Sequence, residues 1–412
     1  RWTWTRNGNR RMSIYRLENV IQPYAWGSKT AIAELLGLPG PADKPQAELW
    51  MGTHPKGPSV AVVGEERIPL QRLIAEKPVF MLGQDGVRRF GRVLPYLFKV
   101  LAAAHPLSIQ AHPDKQEAVD GLARENRAGK AMDAPDRNYR DDNHKPEIIC
   151  ALTPFWALNG FRPVDHAVRL LEPVCPADLE DGWRRLKNEG EAGLKPFFKT
   201  MLTLPAEKRE RACKQMLIKA TPLAGRSPAY AWMVNLARTY PADMGAFSPA
   251  LLNLIRLDPR QAMYLPAGQL HAYLDGVGIE LMANSDNVLR GGLTPKHVDV
   301  PELLRVVRFA ETRLTPLAAT PTQSGESCYP CPADEFSLCL IETQAGRPYL
   351  SSSSRSIEIL LCTEGSGRIA AGSAMQMGIE KGDSMVVAAA LDHYTISGNL
   401  AIYKAAVPLP SQ

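Results

Sequence analysis

No uninterrupted apolar run among the 412 residues approaches the roughly 20 needed to cross a bilayer as a helix, so a membrane-spanning protein is not expected. No basic run stands out either. The net charge is only +5, with acids interspersed among the lysines and arginines. That argues against nucleic acid as the partner and leaves room for a local basic pocket suited to a small anion. Cysteines are few and scattered: Cys150, Cys175, Cys213, Cys339 and Cys362 form no regular framework, and Cys328-Tyr329-Pro330-Cys331 is the only C-x-x-C. With no second Cys or His pair near it in sequence, the expectation is reduced thiols in a cytoplasmic protein and no zinc ribbon. Arg1 to Arg11 lack the apolar core of a secretory signal and read as an N-terminal tail, residues 1–11, with Met12 as the natural start.

What is present is a composition of 45% hydrophobic and 22% charged residues, that of a soluble globular protein, in a chain longer than one core usually supports. Residues 15–64 are short strand-like pieces broken by Gly and Pro, with one helix near 28–36 that Ser28 is placed to cap. Residues 97–101 and 107–112 read as strands separated by a turn at His105-Pro106, followed by a helix after Pro113 and another strand signal over 146–158. Helical spacing then takes over at 164–171, 179–187, 206–220 and 229–236. Strands return at 262–266 and 278–282, a helix begins at Pro301, and short alternating runs with Gly-rich turns fill 336–407. The expected fold is mainly β: two tandem β-barrels, with 12–162 and 249–320 forming the first, 163–248 a helical insertion, and 321–412 the second.

Residues two apart on a strand face the same way, so Gln110 and His112 project side by side into one barrel interior, as two ligands to one ion would. Pro146 biases Lys145 toward extended backbone, and Glu147 enters the otherwise apolar strand Ile148-Ile149-Cys150-Ala151-Leu152, where a carboxylate needs a partner. His271 follows a turn and opens a strand. Each also has an ordinary reading as a core histidine, an edge carboxylate or a strand glutamine. None of the spacings is the H-E-x-x-H or C-x-x-C kind that identifies a metal by itself.

The surrounding text is more specific. Tyr24-Ala25-Trp26-Gly27-Ser28, Ala47-Glu48-Leu49-Trp50-Met51-Gly52-Thr53-His54-Pro55, Pro106-Leu107-Ser108-Ile109-Gln110-Ala111-His112-Pro113, Asp142-Asn143-His144-Lys145-Pro146-Glu147 and the run from Met282 through Arg290 to Lys296 closely resemble type I mannose-6-phosphate isomerase, in the family's order. The resemblance spans most of residues 15–310. It implies a cupin fold, a jelly roll with a helical insertion, and one zinc ion per chain held by Gln110, His112, Glu147 and His271. It also implies Arg290 as the catalytic arginine, with Lys145, Asp286, Lys99, Trp26, Ser108 and Lys296 around the sugar phosphate. Two departures stand out: Arg260 occupies a position where the family often has glycine, and the C-terminal barrel matches loosely. In that barrel Gly382-Asp383 and His393 do not complete a ligand set.

The implied reaction is the reversible conversion of mannose 6-phosphate and fructose 6-phosphate through an enediol, whose developing oxyanion needs electrostatic stabilisation. One carboxylate, two imidazoles and an amide leave a divalent ion with net positive charge, a Lewis acid able to provide it. The same donors also suit Mn, Co or Fe, so zinc follows from the resemblance. Arg290 with Lys145, Lys99 or Lys296 would supply cations for the phosphate, although Lys99 and Lys296 read equally as solvated charges. Trp26 and Trp50 read as core aromatics, with a sugar-facing wall also open to Trp26. Lys145, His144, Asp286 and a metal-bound water all remain open as the proton carrier. Three rivals stand beside this reading: an isomerase for another sugar phosphate, an iron oxygenase built on His112, Glu147 and His271 alone, and a non-catalytic sugar-binding barrel. With no Gly-rich phosphate loop and no length for an added nucleotidyltransferase domain, an isomerase alone is expected, as a cytoplasmic monomer.

Overall fold

The computed structural model describes residues 13–372 and 375–409; the tail at 1–11 and Met12 lie outside them. Two antiparallel sheets dominate, of ten and eleven strands, arranged as tandem cupin-type barrels.

The first sheet is organised by Tyr96–Ala103, a strand buried along its whole length. It pairs with Glu48–Met51 on one side and with His271–Ala283 on the other. The latter strand, 13 residues long, pairs at one end with Phe155–Phe161 and at the other with Glu147–Ala151 as well. A register shift between Tyr273 and Asp275, followed by Gly276 at φ 118°, lets it change direction. A Cβ at Gly276 would lie 2.6 Å from the Pro154 carbonyl oxygen, so only glycine fits the corner. One strand thereby serves two faces and closes the barrel.

Between Phe155–Phe161 and Leu252–Leu257 the chain is helical. The helices Val164–Leu171, Glu180–Glu189, Ala206–Ala220 and Pro228–Thr239 meet the helical spacing read from the sequence. Leu194–Thr203 is a further helix that the sequence pattern does not announce, because Pro196 argues against one; the proline sits in the first turn, where no intrahelical donor is required. Phe197, Phe198, Met201, Met216 and Met233 from these helices share one core with Ile109, Leu158 and Leu270, so the helices brace the back of the site strands. Near the N-terminus the helix is Ala31–Leu35 with Thr30 at its N-cap position, and Ser28 accepts from the Thr30 and Ala31 N–H groups.

The second sheet runs from Ser337–Thr343 through Thr395–Ala406, Glu358–Ala371 and Ser384–Val387 to Ile14–Glu18, Val60–Val63 and Glu66–Pro69. Its hydrogen bonding does not follow the division drawn from sequence, which places all of 12–162 with the first barrel. Ile14–Glu18 lies between Ser384–Val387 and Val60–Val63, with Ile14 opposite Val387. The strand is buried on both faces: Ile14 joins the core of the C-terminal strands, whereas Tyr15 and Leu17 join a core shared with Phe98, Val100 and Ile279 of the first sheet. Nothing in the linear pattern specifies so distant a partner.

One other expectation, that the thiols are all reduced, changes. Cys328 is bonded not to its C-x-x-C neighbour but to Cys339, its direct opposite on an adjacent antiparallel strand, with Cα atoms 4.0 Å apart. Cys331 remains a free thiol. Cross-strand register made the pair, which linear spacing does not reveal. Arg260 adopts φ 73°, a conformation that costs a non-glycine residue about 1–2 kcal/mol and accounts for the glycine preferred at this place.

Candidate active site

The two site strands deliver their side chains by register. Gln110 stands opposite His271 on one side and Arg290 on the other, while Glu147 lies opposite Met282 and Leu265. His112 follows the short strand Ile109–Ala111. Its Nδ1 donates to the Asn287 carbonyl at 2.7 Å, and His271 Nδ1 donates to the Gln269 carbonyl at 2.9 Å. A carbonyl can only accept, so both rings carry their proton on Nδ1 and present a free Nε2 lone pair. Those lone pairs converge on one carboxylate: His112 Nε2 lies 3.5 Å from Glu147 Oε1, and His271 Nε2 lies 3.4 Å from Oε2. The Gln110 amide reaches within 3.3 Å of His271 Nε2, and a half-turn of the amide brings its carbonyl oxygen to the same point.

These atoms fit a divalent ion. His112, Glu147 and His271 are all buried, with ligand atoms within 4.8 Å of one another. His112 Nε2 and Glu147 Oε2 have no hydrogen-bond partner among the described residues, a costly state that a shared cation removes. Protonation is set accordingly. Burial, then the neighbouring Lys145 ammonium, pushes His112 down to about 4, so its imidazole is neutral at pH 7. Burial would raise Glu147, but Lys145 and His112 outweigh it and hold the carboxyl well below its usual range.

Above this floor opens a cavity of about 540 Å³. Gln110 and Glu147 form its base, and Trp26, Lys99, Ser108, Lys145, Asp286, Arg290 and Lys296 form its walls. Lys145 Nζ lies 3.1 Å from Glu147 Oε1. Lys99 is committed to a buried network: Nζ is 2.8 Å from Glu280 and 3.7 Å from Glu48, Tyr273 OH donates to Glu280 at 2.9 Å, and Trp50 Nε1 donates to Glu48 at 2.6 Å. Burial alone would favour a neutral amine, but Glu280 and Glu48 hold Lys99 charged. Asp286 is gripped by Lys56 at 2.8 Å and His54 at 3.4 Å; these outweigh burial and hold its carboxyl well below the usual range.

The arrangement has counterparts among known proteins. Residues 14–164 match the family model for the phosphomannose isomerase type I catalytic domain. Mannose-6-phosphate isomerase from Escherichia coli (strain K12) is 42% identical over 388 residues, covering 94% of this chain and 97% of the relative. The chain belongs to the type I phosphomannose isomerase family. The rat mannose-6-phosphate isomerase is 37% identical over 383 residues, with 85% of this chain and 88% of the relative covered. A crystal structure of zinc-bound mannose 6-phosphate isomerase superimposes with a TM-score of 0.89 at 38% identity, covering 97% of this chain and all of that one. A single-residue variant of phosphomannose isomerase from Salmonella typhimurium gives the same TM-score, identity and coverage.

Against this phosphomannose isomerase background, one candidate falls away from the cavity. His144 does not line it; its Nε2 lies 2.6 Å from Glu335 Oε1, pairing a carboxylate that is mostly buried near the C-terminal strands. Other residues of the cavity escaped the sequence reading. Glu48 and Glu280 are carboxylates inside apolar strands, the same signal that singled out Glu147. Tyr240, from the helical insertion, donates to the Pro106 carbonyl at 2.6 Å and reaches the cavity wall, as does Arg140. No local pattern marks either.

Proposed function

We infer that the chain interconverts mannose 6-phosphate and fructose 6-phosphate with one zinc ion held by Gln110, His112, Glu147 and His271. The observation that carries this reading is the meeting of two free imidazole lone pairs and a partnerless carboxylate oxygen beneath a cavity rich in basic residues. Zinc, when bound there, supplies Lewis acidity for the oxygens on C1 and C2. The chain's own residues do the rest. Aldose–ketose exchange moves a proton between C1 and C2, and a positioned side chain must accept it from one carbon and return it to the other. Asp286 is poorly suited to this, because Lys56 and His54 engage both its oxygens and keep it a weak base. Lys145 faces the cavity beside Glu147 and is assigned the proton transfer, for which it must enter the cycle as the neutral amine, take the proton from one carbon and return it to the other as the ammonium; Asp286 orients a sugar hydroxyl. Arg290, opposite Gln110 in register, directs its donors at oxygens that become charged as the enediol forms.

A doubly charged sugar phosphate does not cross a lipid bilayer unaided, which supports the cytoplasm as the compartment of both substrate and enzyme. No described helix is long and apolar enough to cross a membrane. The deciding experiment is a coupled assay with each sugar phosphate before chelation, after it, and after zinc add-back. Turnover should vanish and return. Undiminished turnover without metal, or none with zinc restored, would overturn the assignment.

A further inference from the structure

Seven basic residues line the cavity, and four are already engaged: Lys99 by Glu280 and Glu48, Lys145 by Glu147, Lys56 by Asp286, and Arg137 by Glu125 and backbone carbonyls. Arg140, Arg290 and Lys296 have no side-chain hydrogen bond or carboxylate partner among the described residues. They also sense one another. Burial, then Arg140, lowers Arg290; burial, then Arg290 and Arg140, lowers Lys296. Three like charges without a counter-ion in one partly buried cavity are unfavourable unless an anion joins them. The four engaged cations balance protein carboxylates, whereas these three await charge from outside.

We propose that Arg140, with Lys296, forms the phosphate-binding end of the cavity while Arg290 faces the enediol oxygens, and that Arg140 is a substrate-binding residue. This rests on the sugar-phosphate reading above. The backbone of Arg140 is anchored at this point, since its N–H donates to Asn287 Oδ1 at 2.7 Å, and the same Asn287 accepts through its carbonyl from His112 Nδ1 at 2.7 Å. One fully buried residue therefore spans from a metal-ligand ring to the backbone of the phosphate contact and sets the distance between the two ends of the substrate. A guanidinium can grip a phosphate with two parallel hydrogen bonds, which a lysine cannot reproduce.

The test compares zinc-loaded wild type with Arg140→Gln and Arg140→Lys, reading KM and kcat for mannose 6-phosphate and, separately, the affinity for inorganic phosphate by calorimetry. Arg140→Gln should raise KM and weaken inorganic phosphate by roughly ten- to a hundredfold, as expected for a lost charge-assisted pair, with kcat changing less and zinc content unchanged. Arg140→Lys should recover part of both. Unchanged KM and unchanged phosphate affinity in Arg140→Gln would overturn the assignment, as would a fall in kcat at constant KM. If wild type failed to turn over mannose 6-phosphate, the functional reading would fail, while the phosphate titration would still judge the cation cluster.

Discussion

Replacing Lys99 by Met removes the only cation within 4 Å of both Glu280 and Glu48 among the described residues. Lys99 is 6% exposed and Glu280 3% exposed, so water entering from the cavity replaces the lost cation only in part. Deleting one partner of a buried ion pair costs about 3–5 kcal/mol, because the other charge is left uncompensated. With an unfolding entropy of ~2.1 cal/mol/K per residue, that loss lowers Tm by roughly 4–6 °C if the chain melts as one unit. The pH dependence has a definite sign. Burial already raises the Glu280 carboxyl, and Lys99 is the leading influence that lowers it. Without Lys99 its folded pKa rises further above the unfolded value of about 4.3. The folded state then binds more protons than the unfolded one between the two values, so the variant loses stability as pH rises through that window and regains it toward pH 4. Scanning calorimetry across pH measures this. Pairing the change with Glu280→Leu should recover part of the loss, since an apolar pair is tolerated where a lone charge is not. An unchanged Tm together with a KM raised tenfold or more would refute the argument and return Lys99 to direct substrate contact.

Three further outcomes are expected. His271→Ala or His112→Ala removes a ligand and should abolish turnover and stoichiometric zinc together; a fully active, metal-free His271→Ala protein would end the metal assignment. Arg290→Ala should keep its zinc while kcat and kcat/KM fall together by ~100-fold or more, and a rise in KM alone would instead make Arg290 purely a phosphate grip. Replacing Cys328 and Cys339 by Ser should cost at most about 3 kcal/mol by loop closure and leave zinc content and KM unaltered; loss of a second equivalent of zinc would reveal a metal role for that corner.

Much of the fold was legible because its signals are local. Helix spacing in Val164–Leu171 and Ala206–Ala220, and the short alternating strand Ser384–Val387, stand where the sequence pattern puts them. The candidate ligands were legible for two reasons, the same-face spacing of Gln110 and His112 and the resemblance of the flanking text to a known family. What was not legible depends on chain segments far apart. The Cys328–Cys339 bond is a matter of strand register, the Ile14–Glu18 pairing joins opposite ends of the chain, and the pairing of His144 with Glu335 bridges 191 residues. Arg140 has no periodic or motif signature at all. It becomes visible only when the partners of its neighbours are accounted for.

The placement of Ile14–Glu18 beside Ser384–Val387 also fixes an order of events during synthesis. The strand emerges from the ribosome well before its distant partner, and Val60–Val63 soon covers one of its edges. The other edge waits for residues 384–387, roughly 20–70 s later at ~5–20 residues per second. Throughout that interval an apolar strand presents unpaired N–H and C=O groups, a template for pairing with a neighbouring nascent chain. A polysome making this protein therefore needs a holdase or wide spacing between ribosomes more than its ordinary final fold suggests, and a chain truncated before residue 384 retains that open edge permanently.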